Sequence, residues 1–258
     1  PELDAKILFL EAFHMDQVHF LMNRMRPLTE EQRAQQETYE VMIDRRSARV
    51  PLQQILGSQE FMGLTFRVTP DVLIPRQDTE TLVEQVLQEQ KDPDIRLLDL
   101  CTGSGCVIVS ILHNVSDVEG YAVDISKQAL NVAKENARLN DVPVLFEHSD
   151  LFDHVTGTFD VIVSNPPYIC TDEIAKLMPE VRDFEPMEAL DGKEDGLYFY
   201  RKIIGQCKQY LNPEGHLLFE IGYDQGQKVS ALMREIGFHD VQVIKDLARK
   251  DRVVTGML

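Results

Sequence analysis

The chain has 258 residues, enough for one large domain and a small one, and its apolar content is that of a globular protein. Its formal net charge of −17 works against free DNA or bulk RNA as substrate, because a sequence-independent nucleic-acid binder needs a basic footprint. No apolar run approaches membrane-spanning length, the acidic start Pro1-Glu2-Leu3-Asp4 carries no secretory or transit signal, and the four cysteines (Cys101, Cys106, Cys170, Cys207) show neither zinc-type pairing nor a disulfide framework. A cytoplasmic protein is expected, with a native start upstream of Pro1.

Residues 1–57 read as a small helical domain. Leu3, Ile7, Leu8, Leu10 and Phe13 lie near one helical face, and Val18, Phe20, Leu21 and Met25 repeat the spacing. Thr29, followed by Glu30, Glu31 and Gln32, has the form of an N-cap and first turn for a helix through Tyr39, Val41, Met42 and Ile43. Pro51 opens a further short helix that Gly57 should end. The methionines of this half are expected in its core. The basic run Arg45-Arg46-Ser47-Ala48-Arg49 reads as a solvated face.

Residues 60–68 alternate around Gly63 and predict a hairpin between the two domains. Asp78 or Thr79 should then N-cap a helix through Leu82, Val83, Val86 and Leu87. Beyond Ile95 strands and helices alternate, which predicts an α/β domain with a mostly parallel sheet. Strands are expected at 96–100, 120–124, 144–148, 159–164, 216–221, 241–244 and 252–255. Helices are expected at 106–113, 127–139, 197–211 and 225–236. The connection 169–196 is too long to be idle and should form a lid or binding element.

Three strand ends point to an adenosine-containing cofactor. Cys101-Thr102-Gly103-Ser104-Gly105 follows the apolar run Leu97-Leu98-Asp99-Leu100 and leads into a helix, so the backbone can approach a ligand closely. Asp124 ends the next strand about 20 residues on, where a carboxylate accepts from ribose hydroxyls. Asp150-Leu151 ends the third, where an acid can accept from an adenine amino group and a leucine can cover the ring. Position 108 is Ile rather than the last glycine of a dinucleotide motif, and Asp99 places negative charge at the mouth. Both features favour a cationic sulfonium over a pyrophosphate, so S-adenosylmethionine fits best.

Asn165-Pro166-Pro167-Tyr168 follows the fourth strand directly. Two prolines cannot continue a central ladder, so the chain must turn at the carboxyl edge, where open α/β sheets bind ligands. This arrangement suits methylation of a planar nitrogen whose lone pair is delocalised. Hydrogen bonds accepted from both of its hydrogens, by the Asn165 side-chain oxygen and the Pro166 carbonyl, favour lone-pair density on nitrogen. Tyr168 can stack on the planar group.

On these residues the chain resembles the class I S-adenosylmethionine-dependent methyltransferases that act on planar nitrogens, and within them the release-factor glutamine methyltransferases (the HemK/PrmC family). Ile55-Leu56-Gly57-Ser58-Gln59-Glu60-Phe61 is similar to that family's interdomain segment. Leu73-Ile74-Pro75-Arg76-Gln77-Asp78-Thr79-Glu80 resembles its signature before the first domain helix, with Gln77 where proline is usual, and Phe184-Glu185-Pro186 to Ala189-Leu190 resembles part of its substrate-side loop. The resemblance implies a Rossmann-like domain at 73–258, an interdomain hairpin at 58–72 and a helical substrate-binding domain at 1–57. It implies methyl transfer to the N5 amide nitrogen of the glutamine in the Gly-Gly-Gln motif of peptide chain release factors, by a monomer. It places the cofactor on Cys101, Thr102, Gly103, Ser104, Gly105, Asp124, Asp150, Leu151 and Asn165. Asn165, Pro166 and Tyr168 would be catalytic, and Asn165, Pro166, Pro167 and Tyr168 would together form the substrate cradle. Cys101 stands where the family has glycine and is expected at φ < 0; Leu151 replaces an aromatic found in some members.

Other side chains read as structural. The seven histidines show no metal-ligand spacing; Glu220, at a strand end, could face the pocket but reads as structural, and Arg76 could pair with an acid near the cofactor but is expected to anchor the hairpin. Two enzymatic alternatives stay open, an N6-adenine methyltransferase acting on a flipped base and a glutamine methyltransferase of a ribosomal protein. A non-catalytic binding protein is a third.

Overall fold

The computed structural model describes residues 1–89 and 94–258. Four helices come first: α1 (Glu2–Ala12), α2 (Gln17–Asn23), α3 (Glu30–Ser47) and α4 (Leu52–Leu56). Asp16 accepts from the His19 N–H at 2.7 Å to start α2. Thr29 and Gln32 form a reciprocal capping box on α3, and Gly57 stops α4 at φ +78°. Phe9, Phe13, Phe20 and Tyr39 pack as an aromatic cluster. Beside that cluster the bundle also buries Leu8, Ala12 and Ile55. Met22 and Met25, expected in its core, are 74% and 89% exposed. The arginine run is also not simply a solvated face: Arg46 and Arg49 reach Glu180 of the large domain at 3.1 and 2.6 Å. Gln54 Nε2 donates to the Phe184 carbonyl at 2.9 Å beside them.

The hairpin pairs β1 (Ser58–Phe61) with β2 (Leu64–Arg67) across Met62-Gly63, both in the left-handed region. That two-residue turn matches the twist of antiparallel strands. Helix α5 (Gln77–Glu89) begins before either expected N-cap, so Asp78 and Thr79 lie inside its first turn. Their side chains bond to distant elements rather than to the helix's own backbone.

The large domain then runs β3 (Arg96–Leu100), α6 (Cys106–Asn114), β4 (Glu119–Asp124), α7 (Lys127–Leu139), β5 (Leu145–His148) and β6 (Phe159–Ser164). Three one-turn helices follow, α8 (Thr171–Ile174), α9 (Pro179–Arg182) and α10 (Met187–Leu190). Next come α11 (Tyr198–Gln206), β7 (Leu211–Glu220), α12 (Gly226–Glu235), β8 (His239–Lys245) and β9 (Asp251–Met257). The sheet order is β5-β4-β3-β6-β7-β9-β8, parallel except where β9 pairs antiparallel with β7 and β8. This is the seven-stranded, mostly parallel α/β sheet expected. Two boundaries of the large domain differ from expectation by more than two residues. The helix expected to reach residue 211 ends at Gln206, and β7 starts at Leu211 instead of 216. Leu211 pairs with Phe159, residues 212–215 bulge out, and His216 resumes the ladder opposite Val161.

Alternation along the strands divides the core. Leu98, Leu100, Ile162 and Phe219 face Tyr200, Ile203, Val229 and Met233 of α11 and α12. Leu97, Val161, Val163 and Leu218 face α5 and the almost wholly buried α6. The hairpin is tied on by Asn136 of α7, which is 0% exposed. Its Oδ1 accepts from Arg67 N at 2.6 Å, and its Nδ2 donates to the carbonyls of Arg67 and Ser104 at 3.2 and 2.8 Å.

Asn136→Ala should destabilise the fold by on the order of 2 kcal/mol, since it leaves the buried Ser104 carbonyl and the part-buried N–H and carbonyl of Arg67 without their partner. Urea unfolding would measure this. A loss under about 0.5 kcal/mol, the range of an ordinary surface change, would remove Asn136 as a tie between hairpin and loop.

Candidate active site

The chain leaves β3 toward β4 and β5, then returns to β6 on the other side of β3, so strand order reverses between β3 and β6. Leu100 lies opposite Ser164, and the Ser164 hydroxyl donates to the Leu100 carbonyl at 2.7 Å. The loop 101–105 and Asn165 therefore emerge side by side, at a cavity of about 330 Å³.

The loop is held by acids. Asp124 accepts from the backbone N–H groups of Gly103 and Ser126, each at 2.8 Å. Asp99, 1% exposed, accepts from the Thr102 hydroxyl at 2.6 Å. Burial pushes the Asp99 pKa up to about 7, with the nearby Asp124 charge adding to the rise, and burial raises Asp124 as well. Cys101 lines the cavity at φ +60°, contrary to the negative φ expected of a side-chain-bearing residue. The Gly103–Asp124 bond and a 3.0 Å bond from Thr102 N to Val123 O determine the turn around it. Burial also raises the Cys101 thiol pKa, so it is a poor nucleophile. Gly105 does not line the cavity; a Cβ there would lie 3.1 Å from the Ala133 Cβ, so the glycine lets α6 pack closely on α7.

Asp150 lies exposed at the rim, 3.9 Å from the Lys202 ammonium, and Leu151 is buried with its side chain on the cavity. Thr102, Ser104, Asn165 and Pro167 also line the cavity, whereas Pro166 and Tyr168 do not. The Asn165 amide nitrogen donates to Thr79 Oγ1 at 3.4 Å. The Tyr168 hydroxyl donates to Glu220 Oε1 at 3.2 Å, and its carbonyl accepts from Gln225 Nε2 at 3.0 Å. Gly196, at φ +71°, packs directly on that carbonyl, where a side chain would collide.

Several groups escaped the sequence reading. Arg76 takes the role weighed second in the sequence: it lines the cavity and pairs with an acid there, Glu185, whose side chain is 1% exposed. The connection 169–196 thereby forms a cavity wall through Pro186, Glu188 and Ala189. Thr79 and Glu185 lay inside noticed motifs, but nothing local indicated their partners. Phe199 and Lys202 of α11 also line the cavity and had no signal at all. Among the described residues, no group of three His, Cys, Asp or Glu could hold a metal, and no helix is long and apolar enough to cross a membrane.

A doubly wound sheet with a glycine loop after its first strand, acids after the next two and Asn-Pro-Pro-Tyr after the fourth defines a methyltransferase. Residues 77–179 match the methyltransferase small domain, and residues 1–57 match the PrmC N-terminal domain. A release factor glutamine methyltransferase of Clostridium botulinum is 42% identical over 98% of this chain and 90% of the relative, and one of Thermodesulfovibrio yellowstonii is 44% identical over 85% and 81%. The chain belongs to the release factor glutamine methyltransferase family. In fold it is also similar to a solved methyltransferase of Pyrococcus furiosus, at a TM-score of 0.58 and 16% identity over 86% of this chain and 98% of that one.

Asp99 generates a pH-dependent prediction. Its folded pKa, about 7, lies above the ordinary 3.8, so the folded state binds more protons than the unfolded state between those values. Asp99 therefore lowers stability as pH rises through that window. Asp99→Asn, which keeps an acceptor for Thr102, should match the wild type near pH 4 and gain stability relative to it toward pH 7.5. Thermal melts of both proteins across pH test this; a difference that does not change with pH would show that Asp99 is ionised throughout.

Proposed function

We propose that this chain transfers a methyl group from S-adenosylmethionine to the N5 side-chain amide nitrogen of the glutamine in the Gly-Gly-Gln motif of peptide chain release factors. The observation that carries this reading is the orientation of Asn165. Its Nδ2 is taken by Thr79, which leaves Oδ1 as an acceptor beside the acid-lined cavity.

The residues present suit this cofactor. Asp99, Asp124 and Asp150 favour a cationic ligand over a polyphosphate, and Cys101 and Leu151 add apolar surface. When bound, S-adenosylmethionine supplies an electrophilic methyl group on a positively charged sulfur. In this reading Asp124 uses its remaining lone pairs for the ribose hydroxyls, Asp150 accepts from the adenine amino group, and Leu151 covers the ring. Asp99 faces the cationic end, and residues 101–104 pass their backbone beneath it. Asn165 Oδ1 and the Pro166 carbonyl accept the two amide hydrogens of the substrate glutamine, which raises lone-pair density on its nitrogen. Pro167 borders the amide, and Tyr168, held by Glu220, supports the tetrapeptide from behind.

Residues 1–57 are assigned to docking the protein substrate, with Val18, Leu21, Met22 and Met25 as exposed apolar side chains on that bundle. No nucleic acid is proposed as substrate, since a net charge of −17 leaves no general phosphate footprint. A cytoplasmic monomer is proposed.

Radiolabelled methyl transfer to a release factor, against the same factor with its Gly-Gly-Gln glutamine replaced, tests the reading. Label is expected only in the first; equal label in both would remove the assigned site. Asn165→Ala should lower kcat on the order of 10²–10³-fold, with a smaller change in release-factor binding. Near-normal turnover in the folded variant would reduce the tetrapeptide to a turn. Asp124→Ala should weaken cofactor binding by about 1.5–3 kcal/mol, the range of a charge-assisted hydrogen bond. Calorimetry reads this, and unchanged affinity would take Asp124 out of the site.

A further inference from the structure

Among the described residues that line the cavity, only Tyr198 and Phe199 are aromatic, and both belong to the first turn of α11. One turn on, Lys202 brings its ammonium to 3.9 Å from the carboxylate of Asp150, the residue before Leu151. Side chains three and four positions apart are neighbours on a helix, so residues 198, 199 and 202 share one face of α11. The two rings have different surroundings. Lys202 Nζ stands 5.1 Å over the Tyr198 ring, so a cation already covers one face of it. Phe199 is half-buried and packs on the apolar cluster that contains Leu151 and Phe152. It meets the Tyr198 ring at right angles, with centroids 5.1 Å apart, and part of its surface lines the cavity.

We propose that Phe199 is a cofactor-binding residue whose ring stacks on the adenine face that Leu151 leaves open. A planar heterocycle presents two faces, and one leucine side chain covers one of them. An aromatic partner adds to apolar burial a stacking attraction for the purine that an aliphatic side chain lacks. The ring is held in place before a ligand arrives. Tyr200 and Ile203, both 0% exposed, fix α11 on the sheet, and the Tyr200 hydroxyl donates to the Glu220 carbonyl at 2.9 Å. The perpendicular Tyr198 ring limits the movement of Phe199 from the other side. Little side-chain freedom is therefore lost on binding. Tyr198, with Lys202 over its face, supports Phe199 and does not stack itself.

The inference rests on the reading that the cavity holds S-adenosylmethionine, and the experiment separates the two. Calorimetry with S-adenosylmethionine compares the wild type with Phe199→Leu and Phe199→Tyr, each shown to be folded by its thermal melt. Phe199→Leu stays apolar but loses the aromatic face, and its Kd should rise about 3- to 10-fold. Phe199→Tyr keeps the ring and should stay within about twofold of the wild type. The chain contains no tryptophan, so Phe199→Trp introduces a single fluorophore at the stacking position. Its emission should be quenched when S-adenosylmethionine saturates the variant. Tyr223→Trp, at an exposed position outside the cavity lining, should keep its emission. Wild-type affinity in Phe199→Leu, equal losses in Phe199→Leu and Phe199→Tyr, or unchanged emission of saturated Phe199→Trp overturns the inference alone. If Phe199→Trp does not bind, the comparison of Phe199→Tyr with Phe199→Leu decides. A wild-type chain that does not bind S-adenosylmethionine overturns the cofactor reading and this inference together.

Discussion

The parallel pairing of β3 with β6 is the constraint on which the site depends. Neighbouring strands lie about 4.8 Å apart, so whatever follows Leu100 and whatever follows Ser164 must meet once those two residues are opposed. The register is enforced from both faces of the sheet. Leu98, Leu100 and Ile162 point into one core, and Leu97, Val161 and Val163 into the other, all 0% exposed. A slip of one residue would exchange these faces and carry Asp99 into the packing of α11 and α12. The loop that holds Asp124 and the turn that presents Asn165 therefore owe their alignment to apolar side chains that touch no ligand.

The first turn of α5 is the second point on which several elements converge. Successive helical side chains project about 100° apart, so three consecutive residues can reach three directions. Asp78 reaches Arg252 on β9 at 2.9 Å, Thr79 meets Asn165 at 3.4 Å, and Glu80 accepts from Met62 N in the hairpin turn at 2.9 Å. The antiparallel edge of the sheet, the site and the interdomain hairpin are joined through one helical turn. The helical bundle reaches the same region by another route. Its Arg46, Arg49 and Gln54 hold Glu180 and Phe184, which precede Glu185 and the cavity wall in the same connection. The Arg49 pair is about half exposed on the arginine side and contributes little. The Gln54 bond, made by a side chain that is 9% exposed, fixes the orientation more firmly.

Elements with strong local causes were legible in the sequence. The strands at 96–100 and 159–164 are apolar runs ended by Gly-rich or Pro-Pro turns, and α7 starts where Ser126 caps it. What escaped reading was partnership across long separations. Asp78 and Thr79 have the chemistry of N-caps, but their side chains are committed to residues 174 and 86 positions away. Arg76 could have paired with any acid, and only the fold brings Glu185 to it. Pro213 and Gly215 lie in the bulge between Leu211 and His216, so β7 begins earlier than the apolar run from His216 indicates. Cys101 shows the limit most clearly. Steric preference argues for negative φ, yet the bonds that Thr102 N and Gly103 N make to the Val123 carbonyl and the Asp124 carboxylate, just after it, hold the left-handed turn.

The acids of the cavity carry the electrostatic argument further than composition could. A net charge of −17 spread over a surface says little about any one ligand. Asp99 and Asp124 differ from that average because both are removed from water, and burial raises the pKa of each. Their charged forms are destabilised until a cation or a hydrogen-bond donor arrives. An anionic ligand would raise the pKa values further, while a cationic one lets the carboxylates ionise and strengthens its own attraction. With the Asp99 pKa pushed up to about 7, a small change in local charge shifts its protonation near neutral pH substantially. Burial is a stability penalty for these carboxylates in the free chain, and the same burial makes the cavity more favourable to a cation than to an anion.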